Sequence, residues 1–182
     1  MSRKYKFRDQ ERLYFVSFAT VYWIDLFVRP EYNEILLGSL RFCQTEKGLK
    51  VFAWCFMPSH VHLIIGTKGK PMQDILRDFK SYTSRRLKDE IQQHPAESRR
   101  EWISWMMKQA GSRNGNNASW QLWQQHNQPI ELCDNNMMDQ RLEYLHMNPV
   151  VSGFVNEPHH WKYSSAVDYS GGKGLLEIYF IE

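Results

Sequence analysis

The stretch CFMPSHVHLII, Cys55 to Ile65, sets His60 and His62 one residue apart inside an apolar run. On an extended strand side chains alternate between faces, so the two imidazoles share one side and Val61 and Leu63 the other. Two imidazoles on one face can present two nitrogen donors to a divalent metal. A half-buried strand can place two histidines this way with no ligand between them, and the spacing alone does not separate the two readings. His94, His126, His159 and His160 have no ligand spacing and read as surface or supporting residues, with His159-His160 beside Trp161 the one further pair.

The elements around the histidines follow from apolar periodicity. LKVFAWCFM, Leu49 to Met57, predicts a strand, Pro58-Ser59 a turn, and HVHLIIGT a strand pairing back on the first, so the histidines open the second arm of a hairpin. Upstream, RLYFVSFAT, Arg12 to Thr20, predicts another strand. The segment after Pro30 carries Ile35, Leu36, Leu40 and Phe42 or Cys43 at helical spacing and stops at Gly48.

Downstream of Pro71, Met72, Ile75, Leu76, Phe79, Tyr82 or Thr83, and Leu87 form one stripe of a long amphipathic helix. Arg77, Lys80, Arg85, Arg86 and Lys88 lie largely off it, giving the helix a basic outer side. HPAESRREWISWMMKQ suggests a shorter helix, AGSRNGNNAS (Ala110 to Ser119) a loop, and WQLWQQHNQPIEL a short strand. NNMMDQRLEYLHMNPV, Asn135 to Val150, predicts a capped helix that Pro149 ends at or just before Asn148. The tail LLEIYFIE is a late strand or a segment docked on the surface. This order predicts an α+β domain with an antiparallel sheet and helices packed on one face, close to the ferredoxin-like pattern. One domain is expected over residues 1–182, with a C-terminal extension from about 164 to 182.

Composition narrows the function classes. The 182 residues are 42% hydrophobic and 24% charged, ordinary for a globular chain, while 7 Trp and 9 Tyr raise the aromatic content to 14%. Aromatic excess serves a packed core or a surface on which bases stack. A net charge of only +3 means that a nucleic-acid partner must be held by a local patch. Cys43, Cys55 and Cys133 are odd in number and widely spaced, which fits neither a disulfide framework nor a zinc ribbon and favours a reducing, cytoplasmic home. MSRKYKFRDQ lacks an apolar signal core and no apolar run reaches the ~18 residues of a membrane span, so no membrane partner is expected.

Four ordered stretches, MPSHVHLII, FKSYTSRRL, YLHMNPVVSGFV and HHWKYSS, resemble in that order the single-tyrosine HUH transposases, and most closely the REP-associated tyrosine transposases. The likeness spans most of the chain, from the first strand through Ser165. It implies the HUH endonuclease fold and a divalent metal, Mg2+ or Mn2+, held by His60 and His62. It also implies a tyrosine nucleophile four residues before the Asn of an Asn-Pro pair. That position here is Tyr144, and Asn148, one helical turn on, is the implied third ligand. The implied partner is single-stranded DNA with hairpin or palindromic repeats, cleaved and rejoined through a 5′-phosphotyrosine by a monomer or homodimer.

Without the resemblance, Tyr144 reads as a core tyrosine whose hydroxyl reaches the surface. Tyr82 is the rival nucleophile, but Arg86 stands where the Asn would be needed. Arg77, Lys80, Arg85, Arg86 and Lys88 are by default a solvated helix face, and with a DNA substrate they become a phosphate-binding surface. The competing functions are a catalytically inactive single-strand or hairpin DNA-binding regulator, and a hydrolase using metal-bound water.

Overall fold

The structure, a computed structural model, describes residues 7–115, 119–125 and 127–181. His126 and the middle of the Asn/Gly-rich segment lie outside the described residues. Strands β1 (Tyr14–Ala19), β2 (Leu49–Phe56), β3 (His60–Thr67) and β4 (Ile130–Glu131) form one sheet in the order β2-β3-β1-β4, with every neighbouring pair antiparallel. Helix α1 (Pro30–Lys47) joins β1 to β2, and α2 (Met72–Gln93) and α3 (Arg100–Ser112) lie between β3 and β4. That is the ferredoxin-like βαββαβ order, in an α+β fold as expected.

Local chemistry explains the boundaries. Pro30 sits at the start of α1, where its missing N–H is not needed, and Gly48 closes the helix in the left-handed conformation, φ 72°, its N–H reaching the Cys43 carbonyl. Helix α1 buries Leu36, Leu37, Leu40 and Cys43 and leaves Phe42 exposed. Helix α2 buries Thr83 and leaves Tyr82 exposed, which settles both alternatives left open by the periodicity.

Strand alternation sends Tyr14, Val16, Phe18, Val61, Leu63 and Ile65 into the main core with α1, α2 and α3. Phe15, Ala53, Cys55 and Ile64 face the other way and pack with Leu132 and Leu145. Leu145 belongs to α4 (Asn135–Val151), so the expected packing of helices on one face holds for α1 to α3 and fails for α4. The second sheet face is also apolar and has to be covered, which α4 does.

Helix α4 is capped by Asp134, whose carboxylate accepts the Met137 N–H at 2.8 Å. It continues past Pro149 to Val151, where an end near Asn148 was expected. The proline withdraws a donor only. The carbonyls of Asn148 and Pro149 still accept the N–H groups of Ser152 and Phe154 at 3.0 and 2.9 Å, and Gly153 at φ 75° turns the chain out.

The strand expected from Trp120 to Leu132 shrinks to Ile130–Glu131. The residues before it serve the end of β1 instead: Leu122 O accepts the Val21 N–H at 2.8 Å, and the Gln124 N–H donates to Ala19 O at 2.8 Å. The tail is the docked alternative. Residues 163–165 run along the free edge of β2, with Phe56 N–H to Tyr163 O and Ser165 N–H to Trp54 O both 2.9 Å, and the Tyr179 N–H donates to Val51 O. That segment covers an edge that would otherwise be open for pairing. Between α2 and α3, the buried Glu97 carboxylate accepts from Arg29 at 2.9 Å, the Tyr32 hydroxyl at 3.0 Å and Arg99 at 3.1 Å.

Candidate active site

The register of β3 sets the two histidines. His60 pairs with Ala19, and His62 with Ser17 on one side and Cys55 on the other, so both rings project from a central strand on the face that α4 covers. Their centroids are 4.8 Å apart. His62 is only 3% exposed, and burial, reinforced by the neighbouring His60, pushes its pKa down to about 3. Burial also lowers His60, offset in part by a hydrogen bond to Asn148 and by the charge of Asp25. Both rings are therefore neutral near pH 7 and keep a nitrogen lone pair for a ligand.

Tyr144 and Asn148, one turn apart on α4, meet this pair. The Tyr144 ring lies 5.4 Å from that of His62, edge to face, and 6.0 Å from Phe15, which in turn stacks on His62 at 5.5 Å. The Asn148 amide Nδ2 lies 3.2 Å from His62 Nε2. Tyr144 is 49% exposed, so part of its side chain is open to a substrate. The four residues expected to act together are thus brought to one point.

His146, between them in sequence, faces the sheet. It is buried, burial lowers its pKa to about 4, and its Nε2 lies 2.9 Å from Ser165 Oγ. Ser165 Oγ donates to Trp54 O and accepts the Trp54 N–H at 2.9 Å. With the hydroxyl proton so used, His146 donates from Nε2 and ties α4 to β2.

The donors fit a divalent cation. Ser59 Oγ engages His60 Nδ1 at 3.2 Å and leaves Nε2 for a ligand. His62 faces the Asn148 amide through Nε2, the nitrogen that would meet a cation shared with Asn148, while Nδ1, on the other side of the ring, is buried with no hydrogen-bond partner among the described residues. Among the described residues no three His, Cys, Asp or Glu side chains gather into a metal site. A cation here would rest on two imidazoles, the Asn148 amide oxygen and oxygens from substrate or water, a set softer than all-oxygen coordination.

The basic residues of α2 are not brought to this point, because α2 packs on the opposite face of the sheet. Lys80 is spent internally: it donates to Gln124 O at 2.8 Å and Asn127 Oδ1 at 2.9 Å, and burial lowers its pKa to about 8. Arg77 is paired with Asp74 and Asp78, and Lys88 lies over the Trp120 ring. Arg85 and Arg86 are exposed. Tyr82 lines a cleft of about 590 Å³ between α1 and α2, on the far side from the histidines.

Phe15, Arg141 and Trp23, which the sequence reading missed, complete the surroundings. The Arg141 guanidinium lies over Phe15 at 5.4 Å, one turn before Tyr144, and the Trp23 ring meets His60 edge-on at 5.4 Å. The i, i+3 spacing of Arg141 and Tyr144 could have flagged the former. Nothing local flags Trp23.

The family model described as "Transposase IS200 like" matches residues 14–117, a span that holds both histidines and ends before α4. Among solved structures, a REP-associated tyrosine transposase bound to a REP hairpin superposes over 100% of this chain and 92% of its own, with TM-score 0.68 and 15% identity, a likeness of fold. A structure from Deinococcus radiodurans R1 aligns over 85% of this chain and 96% of its own at 20% identity and TM-score 0.45. No curated protein matches. Among the described residues no helix is long and apolar enough to cross a membrane.

Proposed function

The chain belongs to the IS200-like transposase family, and on that premise we propose that it cleaves and rejoins single-stranded DNA at hairpin-flanked sites through a 5′-phosphotyrosine on Tyr144. His60, His62 and Asn148 hold the divalent metal, Mg2+ or Mn2+. The observation that carries this reading is the convergence of α4 on β3, with the Tyr144 ring 5.4 Å from His62 and Asn148, one turn on, 3.2 Å from the same imidazole. The hairpin partner is inferred from the solved relative of like fold, which is bound to a REP hairpin.

Tyr144 Oη attacks the scissile phosphorus and forms a new P–O bond while the P–O3′ bond breaks. The phenolic proton passes to solvent, and the departing 3′ oxygen takes one up. The phosphodiester energy is kept in the phosphotyrosine, so attack by a 3′-hydroxyl rejoins the strand with no external energy source. A bound divalent ion supplies polarisation of the phosphate and favours the phenolate. The protein contributes position: Phe15 packs against both Tyr144 and His62, and the His146–Ser165 bond anchors α4. Of the basic residues on α2, Arg85 and Arg86 are left to contact phosphates at a distance from the reacting bond.

The test is incubation with a labelled strand carrying a repeat hairpin and Mn2+, followed by denaturing electrophoresis. A slower-migrating protein–DNA band is expected. Binding without a band would make the protein a regulator, and cleavage without a band a metal-water hydrolase.

A further inference from the structure

Tyr22 and Trp23 both adopt left-handed backbone, φ 57° and 55°, a conformation bulky side chains avoid. Such strain persists only where the surroundings over-determine it, and it gathers at ligand sites. Here the surroundings are explicit. Thr20 donates from its N–H to Ser59 O at 2.9 Å and from its hydroxyl to Ile24 O at 2.8 Å, and the Val21 N–H donates to Leu122 O. Phe27 N–H donates to Pro58 O at 2.8 Å, so the turn is stitched to the loop that leads into His60.

The strained turn buries Val21 and Ile24 on either side and holds the Trp23 indole outward, 58% exposed. A tryptophan kept out of the core at the cost of backbone strain needs an occupant for its face. The Trp23 ring meets that of His60 at 5.4 Å and an interplanar angle of 71°, and its 58% exposure leaves indole surface open to a ligand.

The rings near the site form a series. Tyr144 lies 5.4 Å from His62, His62 4.8 Å from His60, and His60 5.4 Å from Trp23. Strand order gives the series its direction: His62 and Phe15 lie toward the Tyr144 end, and Trp23 lies beyond the Ala19–His60 pair at the other. In an in-line displacement the leaving oxygen departs opposite the nucleophile. With Tyr144 at one end, the departing 3′ oxygen and its nucleotide point to the other.

We infer that Trp23 is the stacking platform for the base immediately 5′ of the scissile phosphate, an unpaired nucleobase on the strand that leaves with the 3′-hydroxyl. The inference rests on the proposed reaction, which defines the scissile bond. A fixed indole face suits any base, which gives grip without much sequence preference, and the rigid turn removes the ordering cost of presenting it.

The test uses the full chain carrying Tyr144→Phe, so that DNA is bound and not consumed, with 2-aminopurine placed in turn at each unpaired position flanking the bond that the wild type cleaves. Quenching at the 5′-flanking position is expected. It should be lost in Trp23→Ala and kept in Trp23→Phe, with affinity roughly tenfold weaker in the alanine variant and unchanged thermal melting. Equal quenching in Trp23→Ala, or a Trp23-dependent signal on the 3′ side, would overturn the platform while the reaction stands. A wild type that forms no covalent adduct would overturn the reaction, and this assignment with it.

Discussion

The amide nitrogen of Asn148 lies 3.2 Å from His62 Nε2, across 86 residues of chain. The contact joins a central strand to a helix on the sheet's second face, and a half-turn of the Asn148 amide would put its neutral oxygen where Nδ2 lies, beside two neutral imidazoles. Asn148→Ala should therefore weaken Mn2+ binding by roughly tenfold or more, whereas Asn148→Asp, which keeps an oxygen there, should retain it. Calorimetric titration of each variant with Mn2+ measures this. Equal affinity in wild type and the alanine variant would remove Asn148 from the ligand set.

Lys80 and Arg85 sit on the same helix and should behave differently. Lys80 is held by Gln124 O and Asn127, while Arg85 is exposed. Arg85→Ala should lower the slope of log affinity against log salt by about 0.7 to 1 if it meets one phosphate. Lys80→Met should leave that slope unchanged and lower the melting temperature by loosening the 124–127 segment. Salt-dependent DNA titrations and thermal melts of both variants decide the matter.

Glu97 carries an acid-sensitive part of the stability. Burial alone would raise its pKa, but hydrogen bonds from Arg29, Arg99 and Tyr32 outweigh burial and hold it at about 2, below its ordinary 4.5. A depressed carboxyl stabilises the fold fully above the unfolded-state value, and that stabilisation fades as pH falls from 4.5 toward 2. The shift corresponds to about 3 kcal/mol. Melting temperature should drop between pH 5 and pH 3 in the wild type, and Glu97→Gln should start lower and show a flatter profile. Parallel profiles would assign acid sensitivity to other groups.

The local geometry of the candidate site was legible because its spacing rules are local, while the choice of Tyr144 and Asn148 came from the family resemblance. Alternation along β3 put His60 and His62 on one face, and a single turn of α4 aligned Tyr144 with Asn148. Features decided by distant partners were not. The covering of the second sheet face by α4 depends on what Phe15, Cys55 and Ile64 pack against, and the internal use of Lys80 depends on the carbonyl of Gln124. The left-handed turn at Tyr22 and Trp23 is set by hydrogen bonds from Thr20 and Val21 to the carbonyls of Ser59 and Leu122, neither of which is near in sequence. Pro149 misled for a different reason: a proline near a C-terminus costs one donor, and the carbonyls around it can still close the last turn.

The central claim is that the Tyr144 hydroxyl is the nucleophile, and removal of that one oxygen tests it most directly. Tyr144→Phe keeps the ring against Phe15 and His62, so the variant should fold and bind a labelled single strand carrying a repeat hairpin. Tyr82→Phe changes a residue on the far side of the sheet. With Mn2+ and denaturing electrophoresis, the covalent protein–DNA band should vanish in Tyr144→Phe and persist in Tyr82→Phe. A band that persists in Tyr144→Phe would contradict the assignment.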